Sequence, residues 1–471
     1  MTHLLYMIFF ILFSQKTALA SNQKIFNAPG SQHSVVFMRL KDKKILFSKN
    51  SHLSLMPASV TKLVTASAVL DFFSPDFQFE TKIYYDGHRK KGVIEGDLII
   101  KGGGDPFLTN EKLWEFASDM RNMNIKLITG NLIIDSSLFD TEFRDGQRLR
   151  AKSFTSHSYD APISASGINF NTYTIFVSPN EKRNAPAYVS LYPFSVEGVS
   201  IENKLFTKDS GTKFSVVRRV SHHKLDILKV NGIININSQF KKIYRSVSDP
   251  ILASGYGIRS FMMGEGIKIK GGTISGNITG SAKHFYTINS FPLNQIINGL
   301  NKYSNNYIAD VLVKNMGARS TGKAGSFANG IAVINNFLRD KARIKGPFKI
   351  LNGSGLHPGN RLNAEQIVDL LYYCYQRFDI FPEFLASLAS PGAKGTLEKR
   401  LLMKKGWIRA KTGTLTKPQT VAAIAGYMWH PEHQIIAFAV IENGKKDKSY
   451  SNIIDMRDRQ DKNISKLYES F

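Results

Sequence analysis

Ser59 and Lys62 are the first residues whose types and spacing could carry out chemistry. The Ser-x-x-Lys spacing occurs six times in the chain, but only this pair begins an otherwise apolar helical pattern, Met56–Leu70. Both side chains would lie on one face, with the serine at the helix N-terminus, where the helix dipole favours developing negative charge. A neutral lysine amine could then take the serine proton. The spacing fits a helix-capping serine beside a solvent-directed lysine equally well.

A second candidate is the segment Lys411-Thr412-Gly413-Thr414, which lies in a predicted strand, Arg409–Leu415. The edge of such a strand can bind an extended peptide by main-chain pairing. Gly413 permits close approach, Thr412 and Thr414 can donate hydrogen bonds to a carboxylate, and Lys411 adds positive charge. The segment could therefore bind the carboxylate end of an extended peptide, with Thr412, Gly413 and Thr414 as substrate-binding residues.

The third candidate is Ser304-Asn305-Asn306, which precedes a predicted helix, Tyr307–Met316. Ser304 offers a hydroxyl that can relay a proton, and Asn306 offers an amide that can both donate and accept hydrogen bonds. An ordinary helix N-cap is the alternative interpretation.

The three motifs, in this order, resemble the serine β-lactamase and penicillin-binding protein superfamily. The long gap between Lys62 and Ser304 resembles the penicillin-binding protein 4 type of D-alanyl-D-alanine carboxypeptidase, peptidase family S13. Three further segments, Gly103–Leu108, Gly353–Leu356 and Gly395–Arg400, resemble other signatures of that family. The resemblance covers about residues 30–442.

The resemblance implies an acyl-enzyme mechanism on peptidoglycan stem peptides that end in D-Ala-D-Ala. Ser59 would be the nucleophile and Lys62 its base, and the N–H groups of Ser59 and Thr414 would form the oxyanion hole. Ser304 and Lys411 would pass a proton to the leaving D-alanine, Asn306 would orient the peptide, and Thr412 with Thr414 would bind the terminal carboxylate. β-Lactam antibiotics would acylate Ser59 and inhibit. The same resemblance admits endopeptidase cleavage of cross-links, and we expect neither a metal nor an organic cofactor.

The chain departs from the family pattern at three positions. Asn305 stands where the family usually has Asp before the motif's asparagine, and Asn352 and His357 replace the first and last residues of D-G-S-G-L-S. Two rival functions remain open, a β-lactamase and a catalytically silent wall-binding protein of the same fold. The E-x-x-L-N motif of class A β-lactamases is absent, and the intact motifs count against a silent protein.

The elements that position these residues predict an α/β (α+β) protein. Apolar runs at 34–40 and 44–47 predict a hairpin, and Asn231-Gly232 between two apolar runs predicts another. Three successive strands are predicted at 407–414, 420–429 and 434–442. The resemblance implies a transpeptidase-like catalytic domain interrupted by two β-rich insertions. The expected division is a signal peptide at 1–20, catalytic domain at 21–78 and 284–471, inserted domain II at 79–164 and 249–283, and inserted β domain III at 165–248.

Composition and the N-terminus indicate where the protein acts. The formal charge of +25 favours an anionic neighbour, but the basic patches lack the interleaved aromatic residues of a nucleic-acid platform, so we expect no nucleic-acid partner. The apolar run Leu4–Phe13 followed by Ala18-Leu19-Ala20 predicts a signal peptide cleaved after Ala20. We therefore expect an exported, periplasmic protein whose mature form has no transmembrane span.

Overall fold

A computed structural model describes residues 25–26, 28–146, 155–222, 225–444 and 452–471. The predicted signal peptide and its cleavage point lie outside these residues. The chain forms two compact units. The described residues of the first fall within Met1–Ala68, Ile297–Ser304 and Ile334–Phe471, and those of the second within Val69–Ile296 and Asn305–Val333.

Strands and helices alternate irregularly along the chain. The strands are β1 Gln32–Arg39, β2 Lys44–Lys49, β3 Glu80–Lys90, β4 Val93–Lys101, β5 Leu127–Ile128, β6 Leu132–Asp135, β7 Thr172–Ser178, β8 Tyr188–Tyr192, β9 Val199–Lys208, β10 Lys213–Val220, β11 Asp226–Asn235, β12 Lys241–Ser246, β13 Lys268–Ile269, β14 Thr273–Ser275, β15 Lys283–Asn289, β16 Ile408–Leu415, β17 Val421–His430 and β18 Gln434–Asn443. The α-helices are α1 Thr61–Phe73, α2 Asn110–Asn122, α3 Pro250–Gly264, α4 Leu293–Lys302, α5 Asn306–Thr321, α6 Phe327–Asn336, α7 Ala364–Gln376, α8 Phe381–Ser387 and α9 Ile453–Ser470.

The first unit is built on a five-stranded antiparallel sheet in the order β16-β17-β18-β1-β2. The central strands β17 and β18 are buried along most of their length, as their almost continuous apolar sequences require. Ile464 and Leu467 of α9 pack in the same core as Phe37 and Phe438. The first predicted hairpin and the three predicted C-terminal strands are confirmed, and β16 is an edge strand.

The second unit contains a seven-stranded mixed sheet and two three-stranded sheets. In the large sheet β13-β5-β4-β3-β15 form the main path, and β6 and β14 pair beside β4. Helices α2 and α3 contribute apolar side chains to its core, among them Phe116 and Met262. The small sheets, β10-β11-β9 and β12-β7-β8, share a separate core that includes Ile175, Leu205 and Leu228. The finer division into inserted domains II and III stays a prediction.

The hairpin predicted at Asn231-Gly232 is wrong. Strand β11 runs through this dipeptide without turning, and it pairs with β10 on one side and with β9 on the other. An Asn-Gly pair favours a turn in an isolated segment, but here backbone hydrogen bonds to two neighbours keep the chain extended. Tertiary pairing therefore overrides the local preference.

Asp105, in the Gly103–Leu108 segment, is a buried carboxyl group of the second unit. Its Oδ1 accepts a hydrogen bond from the backbone N–H of Phe107 at 2.7 Å. Burial raises the pKa of Asp105 to about 7, although this hydrogen bond and the Lys112 cation lower it. Asp105 therefore carries a proton in the folded protein at pH values where the unfolded chain has lost it.

Replacing Asp105 by asparagine should stabilise the protein at pH 8 but much less at pH 4.5. Because the folded-state pKa is the higher one, the stabilising contribution of the wild-type carboxyl is complete below pH 4 and is lost as the pH rises through 7. The loss amounts to as much as about 4 kcal/mol. Thermal unfolding of both proteins at the two pH values measures it. A variant that is less stable than the wild type at both pH values would show that asparagine cannot replace the protonated acid.

Candidate active site

Ser59 lies in a short 3-10 turn, Ala58–Val60, that leads directly into α1. The backbone N–H of Val60 donates to the carbonyl of Pro57 at 3.2 Å, and the hydroxyl of Thr61 donates to the carbonyl of Ala58 at 2.8 Å. Ala58 has a left-handed backbone with φ 47°, which is unfavourable for a residue with a Cβ atom. Such strain is often found at functional sites. The serine thus precedes the α-helix itself, slightly earlier than its sequence pattern predicted.

The amine of Lys62 lies against the hydroxyl of Ser59. The side chain of Lys62 is fully buried, and its Nζ donates to Ser59 Oγ at 3.1 Å and to the carbonyl of Ser354 at 2.6 Å. This geometry excludes the alternative of a solvent-directed lysine. An amine desolvated in this way and held at hydrogen-bond distance from a hydroxyl can act as its base.

The loop around Ser354 positions the Lys62 amine, a role that the sequence motif did not reveal. Asn352 Oδ1 accepts hydrogen bonds from Ser354 N at 3.1 Å, Ser354 Oγ at 2.7 Å and Leu356 N at 3.1 Å. A Cβ atom on Gly355 would lie 2.0 Å from the carbonyl of Ala58, so only glycine lets the loop approach the nucleophile turn. The amide of Asn352 supplies the acceptor that holds this loop, where the family pattern has a carboxylate.

Lys411 and Ser304 form a second hydrogen-bonded pair. Lys411 is fully buried, and its Nζ donates to Ser304 Oγ at 2.8 Å and to the carbonyl of Thr412 at 2.6 Å. Burial lowers the pKa of Lys411 well below its usual value, and the positive charge of Lys62 lowers it further. Ser304 adopts a left-handed backbone with φ 59°. The next residue, Asn305, caps α5: its side-chain Oδ1 accepts a hydrogen bond from Ile308 N at 3.2 Å.

Strand β16 passes immediately beside the nucleophile turn. A Cβ atom on Gly413 would lie 2.7 Å from the carbonyl of Pro57 and 3.1 Å from the backbone nitrogen of Ser59, which explains the glycine. Thr412 and Thr414 point to the same side of the strand, because side chains alternate along it. Thr412 is buried and Thr414 is partly exposed. The first unit thus brings together Ser59, Lys62, Ser304, Lys411 and the three residues that follow Lys411.

Asn306 belongs to the second unit, as the first residue of α5. Its side-chain Nδ2 donates to the carbonyl of Tyr159 at 3.1 Å. Its predicted role in orienting the peptide stays a prediction.

Arg457 of α9 contacts the predicted substrate strand, and no sequence pattern indicated this contact. Its Nη2 donates to Thr414 Oγ1 at 2.6 Å. The contact joins residues 43 positions apart through the packing of the C-terminal helix on the sheet. A pattern of local spacing cannot reveal such a contact.

The described residues offer no obvious metal site and no membrane span. Among them, no group of three or more His, Cys, Asp or Glu side chains is arranged to hold a metal ion. None of the helices in this part of the chain combines the length and the apolar character needed to cross a membrane.

A sequence model of the D-Ala-D-Ala carboxypeptidase 3 (S13) family matches residues 16–464. The chain belongs to this family. The resemblance inferred from the motifs is therefore confirmed, and with it the reaction class of a serine-type D-Ala-D-Ala carboxypeptidase.

Individual relatives agree with this assignment. A D-alanyl-D-alanine carboxypeptidase of Actinomadura sp. (strain R39) is 28% identical over 437 residues, which cover 88% of this chain and 78% of the relative. The crystal structure of penicillin binding protein 4 (dacB) from Haemophilus influenzae matches with a TM-score of 0.77 at 21% identity, over 96% of this chain and 99% of that one. The penicillin G-acylated predatory endopeptidase Bd3459 of Bdellovibrio bacteriovorus matches with a TM-score of 0.56 at 18% identity, over 93% of both chains. The fold class predicted for this S13 family member is confirmed.

Proposed function

We propose that this S13 family member hydrolyses the terminal D-Ala-D-Ala bond of peptidoglycan stem peptides through an acyl-enzyme on Ser59. The observation that carries the assignment of residues is the buried Lys62 amine, 3.1 Å from the Ser59 hydroxyl. A serine with this partner can attack a carbonyl carbon without a metal ion.

Each step uses a group already placed in the first unit. Lys62 takes the hydroxyl proton of Ser59 as the Ser59 oxygen attacks the carbonyl carbon of the bond between the two D-alanines. The backbone N–H groups of Ser59 and Thr414 stabilise the oxyanion, a type of interaction that contributes strongly to such reactions. The Lys411–Ser304 pair, at 2.8 Å, delivers a proton to the leaving amine, and the terminal D-alanine departs. Water then attacks the acyl-enzyme, releasing the shortened peptide and restoring the Ser59 hydroxyl.

Three further assignments belong to the same proposal. Asn306 orients the peptide, and Thr412 and Thr414 bind its terminal carboxylate. β-Lactams acylate Ser59 and inhibit the enzyme, by analogy with the penicillin G-acylated endopeptidase of Bdellovibrio bacteriovorus. The protein acts on the wall after export to the periplasm, with the signal peptide removed after Ala20.

Two measurements on the mature protein test this function. It should release D-alanine from a peptide ending in D-Ala-D-Ala, and benzylpenicillin should stop the release. Mass spectrometry should then find one penicilloyl group on the peptide that contains Ser59. Labelling at another residue, or no labelling at millimolar drug, would refute the assignment of the nucleophile. Rapid hydrolysis of the drug would favour the β-lactamase, and labelling without peptide hydrolysis would favour a silent wall-binding protein.

Cleavage of a cross-linked muropeptide dimer, measured in parallel, gives the endopeptidase activity.

A further inference from the structure

Arg457 is a half-buried cation without a carboxylate partner among the residues that the structure describes. Its Nη2 donates to the neutral hydroxyl of Thr414, and its Nε is buried without a hydrogen-bond acceptor. Burial lowers the pKa of Arg457 and the neighbouring Arg400 cation lowers it further, while the nearby Asp461 carboxylate partly opposes both. A guanidinium group removed from water is costly unless an anion compensates for it.

Other arginines around Arg457 do have such partners. Arg400 forms a two-pronged ion pair with Asp461, at 2.6 and 3.0 Å, and Arg459 pairs with the buried Glu442 at 2.6 Å. Asp461 and Glu442 thus form their hydrogen bonds with other arginines, and Asp461 acts on Arg457 only as a nearby charge. The positive charge of Arg457 remains available to an anion that comes from outside the protein.

The position of Thr414 identifies where that anion would lie. It follows Gly413, where an added Cβ atom would lie 3.1 Å from the backbone nitrogen of Ser59, and it shares a side of β16 with Thr412. A hydroxyl that accepts from Arg457 keeps its own proton, which it can donate to a further acceptor. Both the arginine and the threonine therefore favour a carboxylate at this point.

We propose that Arg457 is a positioning and specificity-determining residue that selects substrates with a free C-terminal carboxylate. It orients the Thr414 hydroxyl toward the carboxylate of the terminal D-alanine and supplies the compensating positive charge. The inference rests on the proposed function and adds Arg457 of α9 to the residues that recognise the substrate. Peptides whose leaving residue lacks that carboxylate would gain nothing from Arg457.

The test compares two peptides of identical sequence, one ending in D-Ala-D-Ala and the other in D-Ala-D-alaninamide. In Arg457→Gln we expect kcat/KM for the free acid to fall about 10- to 100-fold, mainly through KM, because a charge-assisted hydrogen bond is lost. The amide should be cleaved within about twofold of the wild-type rate, because it never made that interaction. Arg457→Lys should recover part of the loss, since it keeps the charge but not the planar geometry.

Lys462→Gln is the matched control, because it removes one exposed cation from the same helix. It should leave the ratio of the kcat/KM values for the two peptides unchanged. Equal losses for acid and amide in Arg457→Gln, or no preference for the acid in the wild type, would overturn the inference. Thermal unfolding will show whether Arg457→Gln folds. If it does not, the ratio of kcat/KM for the acid to kcat/KM for the amide is measured in Arg457→Lys. A ratio equal to that of the wild type would overturn the inference. Labelling of wild-type Ser59 by benzylpenicillin tests the proposed function separately.

Discussion

Replacing Lys62 by arginine should slow the acylation of Ser59 by benzylpenicillin by about 1,000-fold or more, within the range that general bases contribute. Arginine keeps the positive charge but does not lose its proton at any pH where the protein is folded, so it cannot deprotonate Ser59. Lys62→Met removes the amine and keeps an unbranched side chain, and it should slow acylation by a similar factor. Stopped-flow or mass-spectrometric measurement of acylation across the pH range checks both variants.

Thr65→Val provides the matched control for these variants. Thr65 is buried one turn further along α1, and its hydroxyl donates to the carbonyl of Gly353 at 2.7 Å, beside the Ser354 carbonyl that Lys62 contacts. The control loosens the same loop without touching the base, so it should lower the melting temperature but leave acylation within a few fold. Near-normal acylation by Lys62→Arg would make Lys62 structural and assign the base to another group.

Short-range spacing explains why much of the site could be predicted from the sequence. A separation of three residues at a helix start places Lys62 beneath Ser59 whatever the rest of the fold does. The spacing left open whether the lysine is buried or directed to solvent, and the structure shows that it is fully buried beside Ser59. The strand containing Lys411 was similarly clear, because the next two strands along the chain, β17 and β18, are long apolar runs with short connections.

Contacts between distant segments could not be predicted in this way. The carbonyl of Ser354 lies 292 positions from Lys62, and its acceptor role depends on how the 352–356 loop folds around the Asn352 side chain. Arg457 reaches Thr414 only because α9 packs on the sheet. The wrong hairpin at Asn231-Gly232 has the same cause, since pairing with two neighbouring strands determined the conformation there.

Replacing Lys411 by methionine should slow both acylation by benzylpenicillin and hydrolysis of a D-Ala-D-Ala peptide by about 100- to 1,000-fold. The variant loses the proton path through Ser304, which depends on the 2.8 Å hydrogen bond to the Lys411 amine. The positive charge of Lys62 contributes to the lowered pKa of Lys411. Because repulsion between two cations is reciprocal, we expect the Lys62 amine to be protonated more easily once Lys411 is removed. The acid limb of the pH–acylation profile should therefore move to higher pH, an effect that a purely structural residue would not produce.

The melting temperature separates this role from a structural one. An amine held away from water is costly, so Lys411→Met should unfold at the same temperature as the wild type or at a higher one. Lys404→Met is the matched control, because Lys404 is also buried in the first unit but pairs with Glu469 and lies 4.1 Å from the ring centre of Tyr468. It should acylate normally. If Lys411→Met acylates at the wild-type rate with an unshifted acid limb, the proton reaches the leaving group by another path, and the Lys411–Ser304 hydrogen bond serves only to join β16 to the loop that carries Ser304.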